Sequence, residues 1–158
     1  TYYGGKDVLA IGLGGALKKD GSVFAPMTGP AMVDDASMFN ADVLFEKNLD
    51  DAGVIDLEGA FYLYQGDYEP FKHSFLLVGS WMTAEKVGPG KIQPLIRFQQ
   101  GKARGTDKTD TSVEIQVGYP IAEYGARVSL GYQMTSVSNA VGANTKGNAI
   151  FLGAQILK

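Results

Sequence analysis

The stretch Ser112-Val113-Glu114-Ile115-Gln116-Val117-Gly118-Tyr119 alternates apolar and polar side chains without interruption. Successive side chains of a β-strand point to opposite faces of its sheet, so the stretch predicts a strand with one dry face and one wet face. Residues 126–134 repeat the alternation, with Val128 and Leu130 on the dry face and Arg127 and Gln133 on the wet face. The two segments favour an all-β fold.

The same period of two recurs along the chain. It is clear in residues 39–45, 55–63 and 92–99, and less decisive in residues 7–17, 75–83 and 148–157, where both faces are apolar or small. The pattern predicts about eight strands in antiparallel, up-and-down order within residues 1–158. Most of them have about the nine to eleven residues that a tilted membrane-crossing strand needs.

The connections between the predicted strands differ in length. We expect long loops over residues 18–36, 66–72, 101–110 and 138–147, and tight turns over residues 48–53, 86–90 and 122–125. Long loops on one side and short turns on the other are typical of outer-membrane barrels. This arrangement places both ends of the chain on the short-turn side.

Composition excludes several classes of function. The chain of 158 residues has no cysteine, which rules out disulfide scaffolds, thiol catalysis and cysteine-based zinc sites. Its single histidine rules out a multi-histidine metal site. The net charge of −3 argues against nucleic acid as a partner. No apolar run reaches the length of about 18 residues that a membrane-spanning helix requires.

The charged side chains decide which face of the sheet is inside. Nearly every charge within the predicted strands falls on one face, whose other residues are mainly Gln, Ser, Gly and Ala, whereas a water-exposed sheet would use Lys and Glu freely. We therefore predict lipid outside and a polar interior. The predicted pore-lining residues are Asp42, Glu46, Asp56, Glu58, Arg97, Gln99, Glu114, Gln116, Arg127 and Gln133; the predicted lipid-facing residues are Val113, Ile115, Val117, Val128 and Leu130.

Aromatic residues gather near the ends of the predicted strands. Phe45, Trp81, Tyr119 and Tyr124 fall on the short-turn side, and Phe61, Tyr62, Tyr64 and Tyr132 on the loop side. Aromatic girdles at the two membrane interfaces explain such a distribution. We assign Phe45, Trp81, Tyr119 and Tyr132 to the girdle, while packing in the core of a soluble barrel is the alternative.

Two segments carry a resemblance to a known family. The stretch Tyr124-Gly-Ala-Arg-Val-Ser-Leu-Gly-Tyr-Gln133 and the final strand Asn148-Ala-Ile-Phe-Leu-Gly-Ala-Gln-Ile-Leu-Lys158 resemble the closing strands of bacterial outer-membrane porins, nearest to the broad family that includes phosphate-selective porins. The opening Tyr3-Gly-Gly-Lys-Asp-Val-Leu-Ala-Ile-Gly12 resembles an internal strand of that family. The resemblance implies the C-terminal half of a larger barrel, although the chain ends in Lys158 instead of the usual Phe and has no arginine ladder.

The wet-face charges allow two interpretations. Glu46 and Asp56 are expected almost opposite one another, and Arg97 and Arg127 are expected to face the same interior from later strands. In an aqueous lumen, an acidic wall opposite basic groups would filter solutes by charge. In a closed eight-stranded barrel, the same groups would form buried ion pairs in an interior filled by side chains.

Catalytic and metal-binding interpretations are weaker. His73 and Ser74 are neighbours in sequence, so within a strand they would point to opposite faces and could not form a base and nucleophile pair. Asp34 with Asp35, and Asp107 with Asp110, could offer oxygen ligands to calcium, but solvated loop charges are the simpler explanation. The sequence predicts no enzyme activity, no cofactor and no metal site.

The sequence thus predicts a porin in the outer membrane of a Gram-negative bacterium that forms a passive diffusion channel for small hydrophilic solutes or ions. Its expected partners are membrane lipid or lipopolysaccharide, the solutes, and a second copy or a missing barrel half; nucleic acid is not expected. The alternatives are a plugged eight-stranded membrane barrel with a structural or anchoring role, and a soluble lipocalin-like ligand-binding barrel. For the porin we expect a native barrel of about 16 to 18 strands.

Overall fold

The computed structural model describes residues 4–105, 108–121, 125–138 and 144–156. It confirms an all-β chain of eight antiparallel strands in up-and-down order, joined into one sheet in which each strand pairs with its neighbours in sequence. The strands are β1 (Val8–Phe24), β2 (Met32–Asn48), β3 (Val54–Gln65), β4 (Phe71–Met82), β5 (Gln93–Ala103), β6 (Thr109–Ile121), β7 (Ala126–Ser138) and β8 (Thr145–Ile156). Within the described ranges, no helix is long and apolar enough to span a membrane.

Strand pairing follows the alternation read from the sequence. Ile115 of β6 lies opposite Ile96 of β5 and Tyr132 of β7, so the apolar positions of neighbouring strands meet on one face. The polar positions meet on the other face, where Glu114 lies opposite Arg97 and Gln133. A shift of one residue would move each side chain to the opposite face, so the pattern specifies this register.

The first hairpin is longer than predicted. Residues 18–36, expected as a loop, instead extend β1 to Phe24 and begin β2 at Met32, so only residues 25–31 connect the two strands. A register shift between Lys18 and Ser22 interrupts the pairing. Side-chain alternation is weak in this part of the hairpin. The ladder hydrogen bonds join backbone groups and do not require apolar side chains, so the extension leaves no clear pattern in the sequence.

The expected asymmetry of loops and turns is wrong. We call the edge that carries the β2–β3, β4–β5 and β6–β7 connections the turn side, and the opposite edge the loop side. On the turn side, residues 83–92 form a longer connection than residues 66–70 or 104–108 on the loop side. This connection folds back through bridges from Gly90 to Val87 and to Ile121, which give its backbone groups partners away from the main ladders.

The strands are staggered along the sheet. One row of directly paired residues contains Leu9, Phe45, Leu57, Gly79, Ile96, Ile115, Tyr132 and Ile150. Phe45 lies close to the turn-side end of β2, whereas Tyr132 lies in the middle of β7. Stagger of this kind accompanies strand tilt, as closure into a barrel requires. In the described residues β1 and β8 are the two edges of the sheet and are not paired with each other.

The distribution of burial is the reverse of that in a water-soluble domain. Among the described residues, the buried apolar side chains are Val54, Val78 and Met82, whereas Glu46, Asp56 and Glu114 are buried charged side chains. Large apolar side chains are exposed on the face of the sheet that carries the apolar positions, including Leu130 at 57% and Ile115 at 52%. Soluble proteins rarely expose large contiguous apolar patches.

Candidate functional site

Most charged side chains in the middle of the strands share one face of the sheet, which we call the polar face, whereas Lys47, Lys102 and Lys146 lie on the opposite face near strand ends. The polar face is formed by alternate residues of the strands, and all of the predicted pore-lining residues from Asp42 to Gln133 lie on it by register. The predicted lipid-facing residues, Val113, Ile115, Val117, Val128 and Leu130, all lie on the opposite, apolar face. Residues from β3 through β7 line a cavity on the polar face. Glu46, Asp56 and Glu114 are buried on this face while Ile115 and Leu130 are exposed on the other, which indicates that the sheet curves around the polar face.

An acidic cluster occupies the turn-side end of the polar face. Glu46 and Asp56 are direct partners on β2 and β3, as expected, and their exposures are 0% and 6%. The backbone N–H of Gly4 donates to Oε1 of Glu46 over 2.7 Å. Ser80 lies opposite Asp56 on β4 and accepts a hydrogen bond from Nε2 of Gln93 over 3.1 Å. Like charges on adjacent strands repel, so this arrangement is unfavourable for packing.

Arg97 has a partner on the adjacent strand. Its Nη1 lies 3.1 Å from Oε2 of Glu114, the residue directly opposite on β6. The Glu114 side chain is almost buried, so the ion pair is shielded from water on the carboxylate side. The sequence placed Arg97 on the same interior as the acids of β2 and β3, and only the closed eight-stranded alternative needs it to pair with them; the structure shows its ion pair with Glu114 along one wall.

Arg127 lines a smaller cavity on the same face. Its guanidinium lies over the backbone of Gly118, where an added Cβ would come within 2.7 Å of Nη2. The cavity has a volume of about 290 Å³ and is lined in part by Arg97, Gln116, Arg127, Ser129 and Gln155. This region brings positive charge and neutral hydrogen-bonding groups to one part of the polar face.

A larger cavity, of about 570 Å³, lies at the loop-side end of the polar face. Tyr62 and Tyr64 line it, with ring centroids 6.2 Å apart and an angle of 12° between the rings. Both tyrosines lie near the loop-side end of β3, as predicted, but on the same face as Asp56 and Glu58 and not on the apolar face that an aromatic girdle requires. That shared parity was visible in the sequence, since even-numbered positions of β3 carry the acids.

The remaining aromatic predictions divide into two groups. Phe45, Trp81 and Tyr119 lie on the apolar face near the turn-side ends of their strands. Trp81 Nε1 donates to the Ala52 carbonyl over 2.7 Å, and the Tyr119 hydroxyl accepts from Gly90 N–H and donates to the Val87 carbonyl. Tyr132 lies in the middle of β7, so its placement near a strand end is wrong. Tyr124 lies outside the described residues.

The structure separates the residues considered for catalysis. His73 lies opposite Leu63 and its ring stacks near Phe61 on the apolar face, whereas Ser74 lies opposite Tyr62 on the polar face. The Ser74 hydroxyl is 3.2 Å from that of Tyr64. These positions keep the imidazole and the hydroxyl on different sides of the sheet, as their adjacency in sequence predicted.

The loop acids considered for calcium have structural contacts. Asp35 Oδ1 accepts the Asp20 N–H over 3.0 Å, and Asp34 Oδ2 accepts the Asp67 N–H over 2.9 Å. Asp107 lies outside the described residues. In the part of the chain that the structure describes, no three His, Cys, Asp or Glu side chains come together in a way that could hold a metal ion.

The fold and the polar face together define the class of protein structurally: an antiparallel meander with charged side chains concentrated on one face and apolar side chains on the other. No protein-family model, curated protein or solved structure matches the chain.

Proposed function

We propose that this chain forms the wall of a porin, a passive diffusion channel for small hydrophilic solutes in the bacterial outer membrane. The observation that carries the proposal is the reversed distribution of side chains, with charged residues sheltered on the curved polar face and leucine, isoleucine and valine exposed outside. Membrane-spanning barrels have this distribution, because their outer surface contacts hydrocarbon and their interior contacts water.

The same observation weighs against a soluble lipocalin-like barrel. Such a barrel would bury its apolar face and expose its charged face to water. Here the apolar face would be the one in water, and the exposed side chains of Ile115, Val117 and Leu130 would be adjacent across strands β6 and β7. A contiguous apolar surface of this kind promotes association in water.

The size of the inner side chains favours an open lumen over a plugged interior. From residue 10 to residue 16, the polar face of β1 carries only small residues, Ala10, Gly12, Gly14 and Ala16, and the side chains of Asp42 and Asn40 on β2 lie over the two glycines. The closed eight-stranded barrel needs side chains that fill its interior. Small side chains along this stretch of an inner strand contribute little to such a filling, which supports an open lumen.

The two free edges support a barrel larger than eight strands. In hydrocarbon each backbone donor and acceptor must have a partner, so a spanning sheet has no open edge. We propose that β1 and β8 pair with further strands, supplied by sequence outside residues 1–158 or by another copy, to give about 16 to 18 strands. The lumen of such a barrel is wide enough for water and small solutes.

Conductance across a planar lipid bilayer tests the proposal. Protein refolded in detergent micelles and added to the bilayer is expected to produce discrete, voltage-independent current steps. Folded protein that inserts without conducting would support the plugged barrel instead. Protein that stays monodisperse without detergent would support the soluble barrel.

A further inference from the structure

We propose that the cavity at the loop-side end of the polar face binds a neutral saccharide, so that the channel selects sugars among hydrophilic solutes. This inference rests on the proposed function in one respect, since the channel brings solutes to the cavity. The cavity itself follows from the side chains of β3 through β7. We call it the tyrosine cavity.

Two phenol rings supply the apolar part of the tyrosine cavity. Tyr62 and Tyr64 are two positions apart on β3, so both project from the polar face, and their rings are nearly parallel. Both side chains are half-buried, which leaves part of their surface open to the cavity. The Tyr64 hydroxyl is in contact with the Ser74 hydroxyl, and this contact fixes the ring. A sugar ring has a face of C–H groups that packs against such aromatic surfaces.

A third aromatic ring extends this surface. Phe71 begins β4 and also lines the tyrosine cavity. Its ring lies against Gly101 of β5, where an added Cβ would be 2.9 Å from Cε1 of the phenylalanine. The absence of a side chain at Gly101 therefore gives the phenylalanine its position. The cavity thus has an aromatic side formed by β3 and β4.

Hydroxyl and amide groups supply the polar part. Ser74, Gln99, Ser112 and Thr135 line the cavity on the strands that follow. Gln133 Nε2 donates to Ser112 Oγ over 3.0 Å, so the serine hydroxyl proton can be directed toward a ligand. Groups that both donate and accept suit the hydroxyls of a saccharide, which also do both. A site with an apolar surface and a few placed polar groups is the usual form of a small-molecule site.

The charge of the residues that line the tyrosine cavity favours a neutral saccharide over an anion as its ligand. Asp110 is the ionisable acid in the lining, and no Lys or Arg lines this cavity among the described residues. Arg97 and Arg127 line the separate, smaller cavity. A phosphate ion in the tyrosine cavity would be repelled by the Asp110 carboxylate, whereas Arg104, which is outside the lining, donates to the Tyr64 carbonyl. A neutral polyhydroxyl solute avoids this repulsion and can donate a hydrogen bond to Asp110.

Binding of maltose and cellobiose to the protein in detergent micelles tests the inference. Saturation-transfer NMR and calorimetric titration are expected to detect both sugars, with weaker or no signal from inorganic phosphate. Tyr62→Ala is expected to weaken sugar binding by at least about tenfold, and Tyr62→Phe to retain it. Tyr132→Ala, a tyrosine truncation on the apolar face, is the matched control and is expected to leave binding unchanged.

The outcomes separate this inference from the proposed function, because binding in micelles does not require a conducting pore. Sugar binding without conductance would contradict the channel and keep the saccharide site. Conductance without sugar binding would contradict the site and keep the channel. Equal binding by wild type and Tyr62→Ala, or stronger binding of phosphate than of sugar, would overturn the inference. A far-UV circular dichroism spectrum confirms that each variant retains its strands.

Discussion

At the scale of single residues, neighbours in the chain face different surroundings. Ser129 and Leu130 are adjacent in β7, yet the serine lies on the polar face opposite Gly118 and the leucine on the apolar face opposite Val117. Leu130 and Val117 are exposed by 57% and 49%. Substitutions at two adjacent positions of one strand can therefore be compared directly, because the positions lie at nearly the same height in the sheet but on opposite faces.

We predict that Leu130→Arg destabilises the protein in lipid by about 2–4 kcal/mol if the residue lies near the bilayer midplane, because a guanidinium there must leave water. Ser129→Arg, one residue away, is the matched control and is expected to cost less, since the new charge enters the aqueous side. Unfolding by guanidinium chloride in lipid vesicles measures both free energies. A larger cost for Ser129→Arg would reverse the assignment of the two faces.

Single charged residues on the polar face are expected to influence the ion selectivity of the proposed channel. We predict that Arg127→Gln shifts the ion selectivity of the channel toward cations, because the acidic cluster is then less opposed. The double substitution Arg97→Gln with Glu114→Gln removes an ion pair without changing net charge, so it is expected to shift selectivity much less. Reversal potentials in a salt gradient measure both effects. An equal shift in the two variants would contradict a role for Arg127 in selectivity.

At the scale of elements, the turn between β2 and β3 is held by contacts to β4. Residues Asp50–Ala52 form a short 3₁₀ turn, and the Trp81 indole N–H bonds to the Ala52 carbonyl. Gly53 follows with a φ of 92°, and an added Cβ would lie 2.1 Å from the Met82 carbonyl oxygen. The turn therefore requires glycine for both its backbone angle and its close approach to β4.

We predict that Gly53→Ala destabilises the protein by about 1–3 kcal/mol, because the methyl group meets backbone that cannot move without disturbing β4. Gly29→Ala is the control, since Gly29 also has a positive φ but no atom within 4 Å of an added Cβ. Chemical unfolding of the two variants under one set of conditions isolates the contact with Met82. Equal stability of the two variants would show that this contact is unimportant.

The β1–β2 hairpin is the longest pair of strands. Each strand has 17 residues, which corresponds to about 56 Å at about 3.3 Å per residue. A hydrocarbon layer is about 30 Å thick, so in the proposed orientation the loop-side part of this hairpin projects into water even when tilted. The polar residues after Leu17, including Lys18, Lys19 and Asp20, match that position.

At the scale of the whole molecule, β1 and β8 are the two edges of the sheet in the described residues, and the proposed barrel would be completed there. The exposed apolar side chains of β1 and β8 continue the apolar face up to both edges, including Ile11, Leu13, Ile150 and Leu152. Because the face continues to each edge, a further strand with the same alternation can extend it. The number of strands in the assembled barrel then determines the width of the lumen.

We predict that cysteine pairs placed on β1 and β8 do not form a disulfide within one chain. Ala10→Cys combined in turn with Ala149→Cys or Gly153→Cys samples different registers on the polar face, and the natural sequence has no cysteine to interfere. Non-reducing electrophoresis of the assembled protein measures the crosslink. Two cysteines can form a disulfide only if their Cα atoms lie within about 7 Å of each other. An efficient intrachain disulfide would therefore mean that the eight strands close alone, and it would favour the plugged barrel.

Alternation in the sequence was sufficient for the strand order and for the assignment of faces in the middle of each strand. Asp56 and Ile115 could be placed on opposite faces because the period of two is a property of the strand itself. The direct pairing of Glu46 with Asp56 also followed from their positions around a short turn. These are local relations, in which a few neighbouring residues and one turn are enough.

Tertiary structure decided what depends on register and on neighbours distant in sequence. The pairing of Arg97 with Glu114 follows from the register of β5 and β6, and the extension of β1 and β2 follows from backbone hydrogen bonds that leave no pattern in side chains. The tyrosine cavity needs strands from β3 to β7 to curve around Tyr62 and Tyr64. Period-two alternation encodes the face of a residue but neither its height nor its partners, because these depend on how the strands are paired and staggered.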